Sequence, residues 1–156
     1  INLDEFILHG DYDGKVYRQE VGKSFNGSDI VSIYATPYID FGDAGLRKSI
    51  RKVNTFIRAE GPLEMNLALS YDWGDYNTAR PSTYSQQSAG APTAYGGRNI
   101  RYGTANIIYG GSEKPIMSTD VQGSGFSLRC TYVTVGQFDP FSIQGLVIEH
   151  SVSGRR

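Results

Sequence analysis

Two histidines, one cysteine and a few paired carboxylates are the residues of this chain whose chemistry could exceed packing. A Ser–His–Asp relay needs an imidazole within reach of a nucleophile. His9 stands beside a tight turn and His150 near the end of a β-prone run, neither inside a nucleophile motif. Cys130 is the single cysteine, so it has no internal disulfide partner, and with only two histidines it falls short of a zinc set. Asp11-Tyr12-Asp13-Gly14 opens like a calcium loop, but the twelfth position is Gly22 where a bidentate Glu is required, so turn chemistry is the better reading. Asp72 and Asp75 flank Trp73-Gly74. Two carboxylates are too few for a six-oxygen shell. They match a glycosidase acid and base in type only, since that chemistry depends on their separation. Gly123-Ser124-Gly125 reads as a turn, because no Walker loop and no strand–GxGxxG–helix unit surrounds it. The expectation is a chain without catalytic residues, cofactor or metal.

Aromatic side chains offer binding instead. Tyr71, Trp73, Tyr76, Tyr84 and Tyr95 crowd in and around one Gly/Ser/Pro-rich stretch. They could stack on sugar rings, as in carbohydrate-binding modules. They could equally supply rigid contact area to a protein interface, which is the commoner use of tyrosine. Trp73, Tyr76, Tyr84 and Tyr95 are therefore the candidate interface or glycan contacts. Arg47, Lys48, Arg51 and Lys52 form the one basic cluster, which alternation along a strand explains as well as phosphate contact does. With 15 Lys+Arg against 16 Asp+Glu and a net charge of −1, no overall field draws nucleic acid or an anionic membrane.

The elements that must position these residues read as strands. Asp-Gly at 13–14, flanked by Phe6-Ile7-Leu8 and Val16-Tyr17-Arg18, predicts a hairpin over 5–20 with a type I′ turn. Ile30 to Tyr38 follows the turn-forming Asn26-Gly27-Ser28-Asp29 as a strand, with Pro37 at its edge or end. Residues 46–59 are ambiguous: Ile50, Val53 and Ile57 have helical spacing, yet Val, Thr, Phe and Ile favour a strand from about Lys52. Leu63, Met65, Leu67 and Leu69 alternate with polar neighbours and mark the clearest strand. Residues 73–101 read as a long loop, uncommon inside a domain and hence a place to seek an interface. Ala105–Tyr109, Gly125–Val135 and Phe141–Val152 complete the set, the last with an uncertain phase.

Seven or eight strands without a strong helical run predict an all-β antiparallel β-sandwich, jelly-roll-like or Ig-like, with a barrel as the alternative. Its 156 residues, 39% hydrophobic and 20% charged, suit one folded domain over 1–156, and no apolar run approaches a membrane-spanning helix. Leu63, Met65, Leu67, Leu69, Phe126, Leu128, Val147 and Ile33 are the expected core, with tyrosines on its rim. The chain opens at Ile1 and enters at once into Phe6-Ile7-Leu8, which is the pattern of a processed product or of the last part of a longer polypeptide.

Three phrases together resemble virion structural proteins of tailed bacteriophages. Gly10-Asp11-Tyr12-Asp13-Gly14-Lys15-Val16-Tyr17-Arg18-Gln19-Glu20 is similar to the last hairpin of a β-propeller repeat. Thr36-Pro37-Tyr38-Ile39-Asp40-Phe41-Gly42-Asp43 with Arg47-Lys48 resembles the linker into a closing sandwich domain. Phe141 to Glu149 with Gly154-Arg155-Arg156 resembles the final strand and tail. The resemblance implies a non-enzymatic neck, tail or tail-tip component located in the virion. It also implies that the domain binds other virion structural proteins in repeated copies around the particle axis, with 1–22 as an entry hairpin belonging to an upstream propeller-like part.

Overall fold

The computed structural model describes residues 7–19, 22–59, 61–74, 83–88 and 116–155. These form ten strands: β1 (Leu8–Gly10), β2 (Val16–Arg18), β3 (Ile30–Ala35), β4 (Leu46–Ala59), β5 (Leu63–Tyr71), β6 (Tyr84–Ser88), β7 (Ile116–Asp120), β8 (Ser124–Gly125), β9 (Leu128–Gly136) and β10 (Phe141–Arg155). One 3-10 turn, Asp72–Gly74, follows β5. All pairings are antiparallel. One sheet runs β3-β9-β5-β6, a second runs β10-β4-β7 with β8 also on β4, and β1-β2 stand as a separate ribbon. The fold is an all-β sandwich, with ten strands rather than seven or eight.

The core lies where the two larger sheets face each other. Met65, Leu67, Leu69 and Tyr71 of β5 and Leu128, Cys130 and Tyr132 of β9 pack against Ile50, Val53 and Ile57 of β4, and all are buried. Between the sheets the Thr55 and Tyr132 hydroxyls share a hydrogen bond of 2.8 Å, which satisfies two polar groups that burial would otherwise penalise. The expected core is right for Leu63, Met65, Leu67, Leu69 and Leu128. It is wrong for Ile33, 69% exposed, and Val147, 49% exposed, which lie on outward faces; Phe126 is half-buried. Tyr71 and Tyr132 fill the core and do not rim it, since each finds a hydrogen-bond partner for its hydroxyl inside.

β4 is a strand from Leu46, not from Lys52. Its inward residues are Lys48 and Ile50, then Val53, Thr55 and Ile57, a change of phase caused by a bulge that leaves Arg51 unmatched between Ile50↔His150 and Lys52↔Glu149. That single inserted residue produces the helix-like spacing of Ile50, Val53 and Ile57. A bulge at Gln144 does the same for β10, bringing Ile143, Leu146 and Ile148 onto the core side.

The turns differ from expectation in one respect. At Asp11–Gly14 only Gly14 has positive φ (75°), and the Gly14 N–H donates to Asp11 O, so a type I turn with a left-handed glycine closes the ribbon. The type I′ geometry falls instead at Asn26-Gly27 (φ 50° and 85°), bracketed by the Phe25–Ser28 bridge.

The stretch 73–101 is not one loop. Tyr84–Ser88 pairs with Leu63–Leu67 as β6 and then faces β7, where Gln86 Nε2 donates to Thr119 Oγ1 at 2.6 Å. The predicted strand Ala105–Tyr109 lies outside the described residues.

Candidate functional site

The strands run between two poles. Ile30, Gly136, Ala59 and Phe141 mark one pole, and Ala35, Tyr71, Leu128 and Leu46 mark the other. The residues that sequence singled out divide between them.

Trp73 is at the second pole and is 78% exposed. It sits directly after β5 in a turn where Asp72 (φ 47°), Trp73 (φ 62°) and Gly74 (φ 79°) are all left-handed. Two consecutive non-glycine residues in that region are costly and persist only when surrounding contacts hold them. Those contacts come from Asp72, whose Oδ1 accepts the Phe126 N–H at 2.6 Å and the Ser127 N–H at 3.1 Å. The turn presses one side of the indole on Tyr38, with centroids 4.7 Å apart and planes inclined by 34°. The Arg129 guanidinium lies 5.8 Å from the Tyr38 centroid. An exposed aromatic residue is thus fixed by a second ring, a cation and a strained backbone.

Tyr84 does not join it. Its ring packs against the core and its hydroxyl accepts the Gln122 N–H at 3.0 Å, a structural role on the β6–β7 seam. Tyr76, Tyr95 and Asp75 lie outside the described residues. Tyr38, which sequence reasoning passed over as part of a strand end, is the partner that completes the aromatic pair. Its position one residue after Pro37 was the available signal, because proline interrupts the ladder, which resumes at the Ile39–Leu128 bridge, and frees the residue between.

Asp72, Cys130, His9 and His150, the candidate groups among the described residues, are engaged in structure. Both hydrogen bonds to Asp72 Oδ1 hold the turn. Cys130 is buried in the core, and burial pushes its thiol up to about 12, so it stays protonated and unreactive at neutral pH. His9 stacks on Tyr17 at 5.4 Å and His150 packs at 4.4 Å from the Phe41 ring. Among the described residues no three His, Cys, Asp or Glu side chains group as metal ligands would.

The basic cluster is dispersed. Lys48 points inward, 3% exposed, and its ammonium donates to the backbone carbonyls of Asp40, Asp43 and Phe126, the last at 3.2 Å. Arg47 Nε donates to Ser124 Oγ at 3.1 Å, and Lys52 pairs with Asp120 at 3.4 Å. Arg47 and Lys52 keep to the outward face of β4 beside the exposed Arg51, but Lys48 is engaged inside and Lys52 is paired, so the run of four does not act as one site.

The first pole carries the ribbon. His9 and Tyr17 line a groove of about 330 Å³ with Phe25 and Ile30. The register Leu8↔Arg18 and Gly10↔Val16 puts Leu8 and Val16 on the opposite face. There Leu8 is 60% and Val16 71% exposed, with Arg18 on the same face; Ile7 (58% exposed) alternates to the side of His9, and Tyr12 (107%) stands in the turn. No family model, curated protein or solved structure matches the chain.

Proposed function

We propose that this domain is a non-enzymatic structural component of a tailed-bacteriophage virion, in its neck, tail or tail tip, where it docks on neighbouring virion proteins in repeated copies. The observation that carries the docking reading is the β1–β2 ribbon. A two-stranded hairpin is marginal in water unless an apolar face is covered. Here Leu8 and Val16 on one face, and Ile7 on the other, stand more than half exposed. Covering such side chains contributes up to roughly 1.5–3 kcal/mol each when burial is complete, which favours a partner that covers the ribbon. The virion setting comes from the resemblance of residues 10–20, 36–43 and 141–149 to phage structural proteins.

The test is incorporation. A Leu8→Asp/Val16→Asp double variant changes only exposed positions of the ribbon. It is expected to fold as the parent does and to enter particles at least tenfold less well. Incorporation at the parent level would remove the docking reading.

A second reading, a carbohydrate-binding module for a host-surface glycan, is favoured by Trp73. One indole side rests on Tyr38, and stacking on a sugar ring would use the other. A glycan array with the parent and Trp73→Ala decides it: a signal lost on mutation supports the module, and no signal for either protein disposes of it. Trp73 is the single tryptophan, so its fluorescence reports occupancy without a label.

A further inference from the structure

We propose that β3 is a pairing edge for a second copy of this chain, joining two four-stranded sheets into one across a two-fold axis at Ile33. This inference rests on the docking reading and names one of its partners.

Each sheet has two outer strands, and their backbones are treated differently. β6 and β7 face each other, linked by Gln86–Thr119 and by the Tyr84 hydroxyl with Gln122 N. β10 carries bulges at Gln144 and Ser153 and the charged Glu149, devices that blunt an edge. β3 has none of these. Ile30-Val31-Ser32-Ile33-Tyr34-Ala35 holds no charge and no proline, and it pairs with β9 in unbroken register. Among the described residues nothing lies on its other side. Its side chains are open on both faces, with Ile33 at 69%, Val31 at 59% and Tyr34 at 50%. An uncharged, bulge-free, exposed edge is a template for another strand.

The phase of the ladder leaves an edge that a second copy pairs in full. The Thr36 N–H donates to Cys130 O at 2.9 Å, so alternation aims the N–H and C=O of Ser32 and Tyr34 at β9 and those of Val31, Ile33 and Ala35 outward. These three positions are symmetric about Ile33. A second copy turned by the two-fold places Ile33 against Ile33 of the partner subunit and Val31 against Ala35 of the partner subunit, pairing every outward group. No like charges meet, because Asp29 falls opposite Pro37 of the partner subunit. On the outer face Val31 and Ile33 lie beside Val135 and Val133, so the joined sheet carries one aliphatic stripe through the axis.

An edge contact of this length buries less than the ~1,200 Å² of a stable interface, which puts the pairing among weak, concentration-dependent ones; the two concentrations below bracket a dissociation constant on the order of 100 µM. Repeated copies in a particle supply that local concentration.

Amide hydrogen exchange of the full chain at about 10 µM and 1 mM reads the pairing directly. The Val31, Ile33 and Ala35 amides are expected to slow about fourfold at the higher concentration, as mass action for that constant requires. Ser32 and Tyr34 stay protected at both. Ile33→Lys, which opposes like charges on the axis, and Ile33→Pro, which removes an outward N–H at a position an edge strand tolerates, should abolish the change and leave the thermal midpoint within a few degrees. Fast exchange at both concentrations, slow exchange at both, or pairing that survives in the two variants would overturn the proposal. A chain that never pairs yet enters particles keeps the docking reading and rejects this one; a chain that pairs and never enters particles does the reverse.

Discussion

Replacing Tyr132 by Phe removes one hydroxyl and nothing else from the centre of the sandwich. Thr55 is 0% exposed and Tyr132 2%, and their hydrogen bond of 2.8 Å joins β4 to β9 across the core. In Tyr132→Phe the Thr55 hydroxyl stays buried without its partner, a loss of about 1–3 kcal/mol. Thr55→Val keeps the side-chain shape and strands the phenol instead, with a similar loss. The double variant Thr55→Val/Tyr132→Phe has no polar group left to satisfy and is expected within ~1 kcal/mol of the parent. The two single losses then exceed the double by a coupling within the range of about 0.5–3 kcal/mol seen for contacting pairs. Urea unfolding measures all four proteins, with midpoints shifting at constant slope. A chain of this size loses roughly 2–4 °C in Tm per kcal/mol, so each single variant should also melt several degrees lower. Additive losses, or a neutral Tyr132→Phe, would refute the assignment of this pair as a satisfied polar bridge.

Other expectations come from the same packing. Lys48→Met takes the ammonium away from the carbonyls of Asp40, Asp43 and Phe126, leaving the first two only the 3.4 Å N–H groups of Asp43 and Leu46, and should cost about 2–4 kcal/mol, with faster proteolysis at the 40–45 turn. Gly123→Ala places a Cβ 2.5 Å from the Tyr71 hydroxyl at φ 140°, and thermal melting should show a loss of about 2 kcal/mol or more. Burial pushes the Cys130 thiol from 9.0 up to about 12 and raises the Tyr71 and Tyr132 phenols in the same direction. Well below pH 9 these groups are protonated in both states. Above it the unfolded chain ionises first, so stability falls with rising pH by up to about 1.4 kcal/mol per unit for each group. Cys130→Ala should flatten the first part of that fall, between pH 9 and 10, in urea titrations at stepped pH.

Much of the sandwich was legible because strict alternation leaves little freedom. Leu63, Met65, Leu67 and Leu69 could face only one way, and β5 is where they place it. Legibility failed where one residue was inserted. The bulge at Arg51 gave β4 a helical spacing, and the bulge at Gln144 blurred β10; both are properties of strand pairing and invisible to a local window. Ile33 and Val147 were assigned inward because they are aliphatic, a rule that runs in one direction only. The turn at Asp13-Gly14 illustrates a similar limit. The dipeptide fixed the hairpin but not the turn type, which loop length decided. For the aromatic site, Trp73 was readable from its Gly- and Asp-rich context, whereas Tyr38 comes from 35 residues upstream and is joined to it only by the bridge of Ile39 to Leu128 and the turn after β5.

The central claim is that this domain docks within a virion, and cross-linking mass spectrometry of purified particles tests it most directly. The account predicts the chain in a fixed, repeated copy number, with cross-links from Lys15 at the ribbon turn to a neighbouring virion protein. Particles that lack the chain, or that hold it with no cross-link from the ribbon, would contradict the account.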